Sequence, residues 1–381
     1  MNSTLSGGSA EGVSEAGAPH AAGGVARAET GVARAFEALL SGCAVYDLSS
    51  RAKIRLTGSD RVRWLNGMVT NNIRDLAPNH GVYCFLLNAQ GHIQADFYAY
   101  NMGESIVVDA DGQLREKILA HFDKFIITDD VEVADVTSTL GTIGVAGPQA
   151  KAVLRAAGVD VPDLAPLELC SPKCNCACEC LKCTVVRGDE AAGESYEIWL
   201  APGQMRAAWD ALIAAGGAAI DGAGGGATDL GTTDLETTGA DAGSAGAAAG
   251  ADALELWRIS RGIPRYGVDI RERDLPQETG QERALNFTKG CYLGQEIVER
   301  IRSRGAVHRQ FSAFLVEGAL PAAGTKIQVD EKDVGEITSS ADLPLPAGNR
   351  GVALGYLRRE AAGKGLRAGA AMLKPAALPI I

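Results

Sequence analysis

The sequence predicts an α+β fold that ends in a small β-barrel. Three observations lead there. Between about residues 36 and 308, short strand-like hairpins are mixed with segments of helical spacing. After residue 309 the pattern changes to short strands joined by Gly/Pro turns. Residues 1–35 and about 214–251 are rich in Ala and Gly without sustained periodicity, and read as a disordered tail and a flexible insertion. The expected organisation is therefore a tail (1–35), a body (36–308, interrupted at 214–251) and a barrel (309–381).

Within the body the elements follow in order. A helix is expected to begin near Val32 at the end of the tail. Cys43–Leu48 and Ala52–Leu56 read as strands. Asp60 is placed to cap a helix carrying Val62, Trp64 and Leu65. Val82–Leu87, the turn Asn88–Gly91 and His92–Tyr100 form a hairpin. Ser105–Asp109 is a strand, 114–122 has helical spacing, and Val131–Ala134 returns to strand. Thr142–Pro148 ends a strand and starts a further helix. In the barrel, Phe311–Val316, Lys326–Val329, Asp333–Ser339 and Val352–Leu357 are expected strands.

Composition narrows the function classes. With Lys+Arg 36 against Asp+Glu 47 the net charge is −11, which argues against wholesale coating of nucleic acid. A local basic patch stays open. Part of the acidic excess lies in the insertion, so the folded body is closer to neutral. No apolar run approaches the roughly 18 residues of a membrane span. The N-terminus lacks a secretory pattern, so a cytoplasmic location is expected and membrane association is not.

The most informative stretch is Lys289-Gly290-Cys291-Tyr292-Leu293-Gly294-Gln295-Glu296. Its glycines let the backbone approach another group closely. Lys289, two residues from Cys291, is placed to stabilise a thiolate, the reactive and metal-binding form. A Gly-broken turn carrying a buried Cys is the plainer reading of the same residues. Gln295 and Glu296 are expected to fix the loop by hydrogen bonds.

This string resembles the signature of the YgfZ family of folate-binding proteins, which is linked to iron–sulfur cluster assembly and is related to the T-protein (aminomethyltransferase) of glycine cleavage. The resemblance extends to Leu56–Asp60, Trp64–Gly67, Thr70–Ile73, Leu86–Asp96, Trp257–Asp269 and Leu275–Glu278. It implies a three-part, ring-like T-protein fold with a central channel for tetrahydrofolate. On that resemblance Glu197 is expected to hold the pterin edge and Asp96 to face the reactive nitrogens. Arg258 and Arg265 are candidates for a folate carboxylate, and Tyr292 for the cofactor site. Cys291 is expected to be the working thiol, with Lys289 beside it, able to ligate iron transiently or react with a partner's cysteine. One thiol cannot hold a cluster, which needs about four ligands, so partners must supply the rest. The resemblance thus implies a tetrahydrofolate-dependent accessory protein serving iron–sulfur assembly factors and client enzymes, including tRNA-modifying ones. Its alternative is a one-carbon transferase. Two departures from the T-protein, Ala95 where a second acidic residue precedes Asp96 and the presence of the Cys291 motif, favour the former.

Two further features lie apart from that pattern. Arg300, Arg302 and Arg304 have the spacing of one strand face, though a helix end also accommodates them. They read as a solvated patch or as a docking surface for an acidic partner or RNA. Six of the nine cysteines fall between Cys170 and Cys183. In an extended strand Cys174, Cys176, Cys178 and Cys180 share a face with sulfur-bearing carbons about 6–7 Å apart, too far for one ion unless the loop curls. Metal binding and a variable, redox-sensitive loop both remain open readings.

Overall fold

The computed structural model describes residues 21–172, 182–220, 242–305 and 307–381. Two sheets and a barrel carry the fold. The first sheet runs His80–Leu87, Ile93–Asn101, Ile106–Ala110, Ala52–Thr57 and Glu132–Asp135, antiparallel throughout. Strand alternation sends Ile54, Leu56, Phe97 and Val108 to one face. There the helices Arg61–Met68 and Arg115–Phe125 cover them with Trp64, Leu65, Ile118 and Phe122.

The second sheet runs Ala218–Ile220, Ala44–Asp47, Gly141–Ala146, Ser195–Leu200, Cys183–Arg187 and Leu169–Cys170. Helices Ala150–Ala156 and Met205–Ala214 cover its outer face, packing Val153, Leu154, Trp209 and Leu212 against Ile143, Val145, Val185 and Ile198. The remaining faces of the two sheets turn towards each other and meet at Tyr100, Val107, Val186 and Trp199.

The barrel closes in the order Arg309–Glu317, Arg350–Arg358, Lys332–Leu343, Lys326–Val329, Leu366–Ala368 and Ala371–Ala376. The last two strands, absent from the sequence reading, alternate buried Leu366, Ala368, Ala371 and Leu373 with exposed neighbours and shut the cylinder against Ala313–Glu317. Phe36 and Ile259, from the helices Ala21–Ser41 and Ala242–Arg261, pack against Phe311, Leu354 and Tyr356 of the barrel.

Several expectations need correction. A helix begins at Ala21 inside the stretch read as tail, because an Ala-rich segment has high helix propensity and its end, Phe36 and Leu39, is fully buried. Residues 218–220 lie inside the presumed insertion, yet they pair in parallel with Ala44–Tyr46 and bury Ile220. Residues 242–251 open the helix that ends at Arg261. Asp60 stands at the helix N-terminus without capping it, since its carboxylate accepts from the Asp130 amide at 3.0 Å instead. Arg300, Arg302 and Arg304 lie on the helix Gln295–Arg304, not on a strand. There Arg300 pairs with Glu296 and Arg302 with Glu299, as neighbours one helical turn apart do.

Candidate functional site

Strand register assembles the first part of the site. Tyr83 pairs with Tyr98, Tyr98 with Asp109, and Asp109 with Lys53, so one row of polar side chains crosses four strands of the first sheet. Alternation points Asp96 the same way as Tyr98, away from the apolar core that takes Ala95, Phe97 and Ala99. A recess results between the two sheets. The Tyr83 hydroxyl donates to Asp96 Oδ2 at 2.7 Å. Asp96 is half-buried. Burial pushes its carboxyl above the usual carboxylate range, against the pull of the Tyr83 bond and the Arg51 guanidinium.

The second sheet supplies Glu197 and Trp199, which alternate with the core residues Tyr196, Ile198 and Leu200. Trp199 Nε1 donates to Glu197 Oε2 at 2.8 Å. Lys53, with no exposed surface, donates to Asp109 Oδ1 at 2.7 Å and to Glu197 Oε2 at 3.4 Å. Arg51 Nε completes the cluster at 2.9 Å from Asp109 Oδ1. Burial works to raise the Asp109 carboxyl, and the two cations overcome it and hold it below the usual range. Gly144, opposite Glu197 in the ladder, is required by contact: a Cβ there would lie 2.3 Å from the Tyr46 ring.

Asp96 and Glu197 thus stand on the first and second sheets, with the Arg51 guanidinium acting electrostatically on both. The structure adds Lys53, Arg51, Asp109, Tyr83, Tyr98 and Trp199, which the sequence reading missed. A signal existed for Asp109, a charged residue within a strand whose other members are apolar. Ala95 lies fully buried in the core on the opposite side of its strand from Asp96. A carboxylate at that position would enter the core and not the recess, so this departure from the T-protein says little about recess chemistry.

Arg258 and Arg265 do not join the recess. Arg258 donates to Asp269 Oδ2 and the Ile263 carbonyl at 2.6 Å, to Glu255 at 2.6 Å and to Ser339 Oγ at 2.9 Å. Arg265 pairs with Glu255 at 3.2 Å. Arg258 thereby ties the long helix to the barrel through Ser339, and Arg265 pairs back onto that helix, a structural use of the charge expected to hold a folate carboxylate.

The motif 289–296 forms a loop packed on the hairpin turn. Gly294, at φ +81°, opens the helix Gln295–Arg304. A Cβ there would fall 2.6 Å from the Asn88 carbonyl, so contact with the turn demands glycine. A Cβ on Gly290 would meet only Arg74 Nη2, at 3.8 Å. Lys289 turns away from the thiol: its ammonium donates to the carbonyls of Asn66, Val69 and Asn71 at 2.7, 2.7 and 2.5 Å. Burial pulls its pKa down to about 8. Its three hydrogens are fully used, which makes it a clamp and corrects the expectation of a thiolate activator. Tyr292 is buried with Tyr83, Phe85, Leu87 and Ile93, and burial pushes its hydroxyl up to about 12. Because Tyr83 also holds Asp96, this cluster connects the loop to the recess wall. Gln295 accepts from the Tyr292 amide at 3.3 Å, while Glu296 is exposed and pairs with Arg300. Cys291 itself is exposed, whereas Cys43, Cys84 and Cys183 are buried.

Cys174, Cys176, Cys178 and Cys180 lie outside the described residues. Their segment connects the neighbouring antiparallel strands Leu169–Cys170 and Cys183–Arg187 at the sheet edge. Among the described residues no group of three or more His, Cys, Asp or Glu side chains is arranged to hold a metal ion, and no helix is long and apolar enough to cross a membrane.

Two facing sheets with a polar recess, joined to a closed barrel, define an aminomethyltransferase-like protein. Its relatives agree: an aminomethyltransferase of Thermoanaerobacter pseudethanolicus is 22% identical over 84% of this chain and 79% of its own length. A putative chloroplastic transferase of Arabidopsis thaliana is 24% identical over 87% and 69%. The crystal structure of the glycine cleavage system aminomethyltransferase T from Bartonella henselae superposes with a TM-score of 0.74 at 19% identity, covering 92% of this chain and 89% of that one. The chain belongs to the GCVT N-terminal domain family, matched at residues 18–236, and carries the C-terminal β-barrel domain of CAF17 at residues 302–379, a pairing that belongs to the YgfZ/CAF17 family.

Proposed function

We propose that this chain is a tetrahydrofolate-binding accessory protein for iron–sulfur cluster assembly and maintenance, with Cys291 as its working thiol. The observation that carries the proposal is the exposure of Cys291 on a loop whose next residue, Tyr292, is packed into the cluster that walls the recess. The recess residues fit a folate. A pterin edge offers N–H donors, one of which the free Oε1 of Glu197 can accept in a charge-assisted bond. Asp96, set behind the Tyr83 hydroxyl, is placed to meet ring nitrogens, and the aromatic walls suit a flat heterocycle. When bound, tetrahydrofolate supplies carriage of one-carbon groups.

A single exposed thiol serves transfer or repair better than storage. Iron–sulfur ligation normally takes about four donors, so the partners implied are cluster carriers and client iron–sulfur enzymes, tRNA-modifying enzymes among them, that bring their own cysteines. The expected setting is the cytoplasm. A second reading, folate-dependent aminomethyl transfer, is favoured by the names of the relatives at 22–24% identity.

The test pairs anaerobic tetrahydrofolate calorimetry on wild type and Cys291→Ala with rescue of an iron–sulfur enzyme in cells lacking the protein. Folate binding by both proteins, with rescue by wild type alone, supports the proposal. Full rescue by Cys291→Ala removes the thiol role. Turnover in a glycine-cleavage assay with a lipoyl carrier moves the conclusion to the second reading.

A further inference from the structure

We propose that Lys53 is a positioning residue for Glu197, fixing that carboxylate in advance so that one oxygen faces the ligand. The proposal rests on the reading of Glu197 as a folate ligand. Its starting point is charge balance in a buried place. Arg51 and Lys53 both contact Asp109, at 2.9 and 2.7 Å. Two cations on one carboxylate leave one positive charge unbalanced, and Lys53 has no exposed surface through which water could answer it. Glu197 balances it at 3.4 Å, which makes the four groups neutral as a set.

The ammonium is fully engaged by Asp109, by Glu197 and by the face of the Trp199 ring, whose centroid lies 4.6 Å away. Both Lys53 and the Trp199 indole N–H bind the same atom, Glu197 Oε2. This arrangement holds a flexible side chain from two sides and presents Oε1 for recognition. Ordering Glu197 before the ligand arrives removes an entropic cost that binding would otherwise carry. The ligand class this selects is a flat ring that presents an N–H donor to the free Oε1, for which a rotating carboxylate is a poorer partner.

Four proteins test it by anaerobic tetrahydrofolate calorimetry: wild type, Lys53→Met, Glu197→Gln and the double variant K53M/E197Q. A fifth, K53M/D109N, keeps the buried charges balanced and serves if Lys53→Met alone does not fold. Lys53→Met and K53M/D109N are expected to bind about tenfold more weakly, a difference of about 1.4 kcal/mol. The double variant is expected to bind no more weakly than Glu197→Gln, because the lysine acts through that carboxylate. The tryptophan emission change on titration is expected to need about tenfold more tetrahydrofolate in Lys53→Met than in wild type. Lys53→Met or K53M/D109N binding within twofold of wild type, beside a weakened Glu197→Gln, overturns the positioning role and leaves the folate reading standing. A loss that adds fully in the double variant shows a general structural effect and overturns it too. Unchanged binding by Glu197→Gln overturns the folate reading of Glu197 and this inference with it.

Discussion

Replacing Lys289 by Met keeps the aliphatic stem and removes the ammonium that donates to Asn66, Val69 and Asn71 at 2.7, 2.7 and 2.5 Å. Hydrogen bonds to a charged group contribute roughly 1.5–3 kcal/mol each, so three give a gross loss of about 4–9 kcal/mol. Against this stands the cost of burying the ammonium, which pulls its pKa from 10.5 to about 8. At full burial that shift corresponds to about 3 kcal/mol, and for a half-buried side chain about 2 kcal/mol is the fairer figure. The three bonds share one donor and do not add fully, which places the expected destabilisation near 3 kcal/mol. Urea unfolding followed by tryptophan emission reads that loss. The same samples, alkylated at one fixed pH and mapped by peptide mass, give the reactivity of Cys291, expected within about twofold of wild type because the ammonium points elsewhere. A tenfold drop in Cys291 alkylation with an unchanged unfolding midpoint would refute the clamp and restore the activator.

Asp269→Ala removes the acceptor that gathers Arg258, the Arg265 amide, Thr338 and Ser339 at the junction of helix and barrel. Leaving the buried Arg258 short of its partner is expected to cost about 3–5 kcal/mol in chemical denaturation, and a loss under about 1 kcal/mol would show the junction to be held by packing alone. Glu336 tests the acid limb. Lys326 and Arg271 hold its carboxyl at about 2, below the ordinary 4.5. A carboxylate depressed in the folded state contributes stability that is complete above about 4.5 and lost as pH falls towards 2. Glu336→Gln is therefore expected to flatten the fall of Tm over that window, and an identical Tm–pH curve would sink the assignment.

Much of the fold was legible because its signals are local. The hairpin 82–100 shows in alternation and in the Asn-Ala-Gln-Gly turn, both readable within twenty residues. The strand Lys326–Val329 matches its expected bounds for the same reason. Ala218–Ile220 was missed because three residues in an Ala/Gly-rich setting carry no period; only pairing with Ala44–Tyr46 makes them a strand. The basic run at 300–304 stayed open between a strand face and a helix end because spacing over five residues does not separate the two, and it lies on the helix Gln295–Arg304.

The candidate site divides along the same line. The sequence by itself carried the motif 289–296, and its family resemblance singled out Asp96, Glu197 and Cys291, since a contiguous string needs no fold to be recognised. Only the tertiary structure decided which groups those residues meet. Lys53 and Glu197 are 144 positions apart and meet because two sheets face each other. Lys289 sits two residues from Cys291, yet its charge is drawn to three carbonyls more than 200 positions away in sequence. Arg258 carries the charge expected of a carboxylate binder and is already bound to Asp269, Glu255 and Ser339. A charged side chain taken out of water must find its partner, and which partner lies within about 3 Å is set by strand register and loop packing, quantities that residue spacing does not contain.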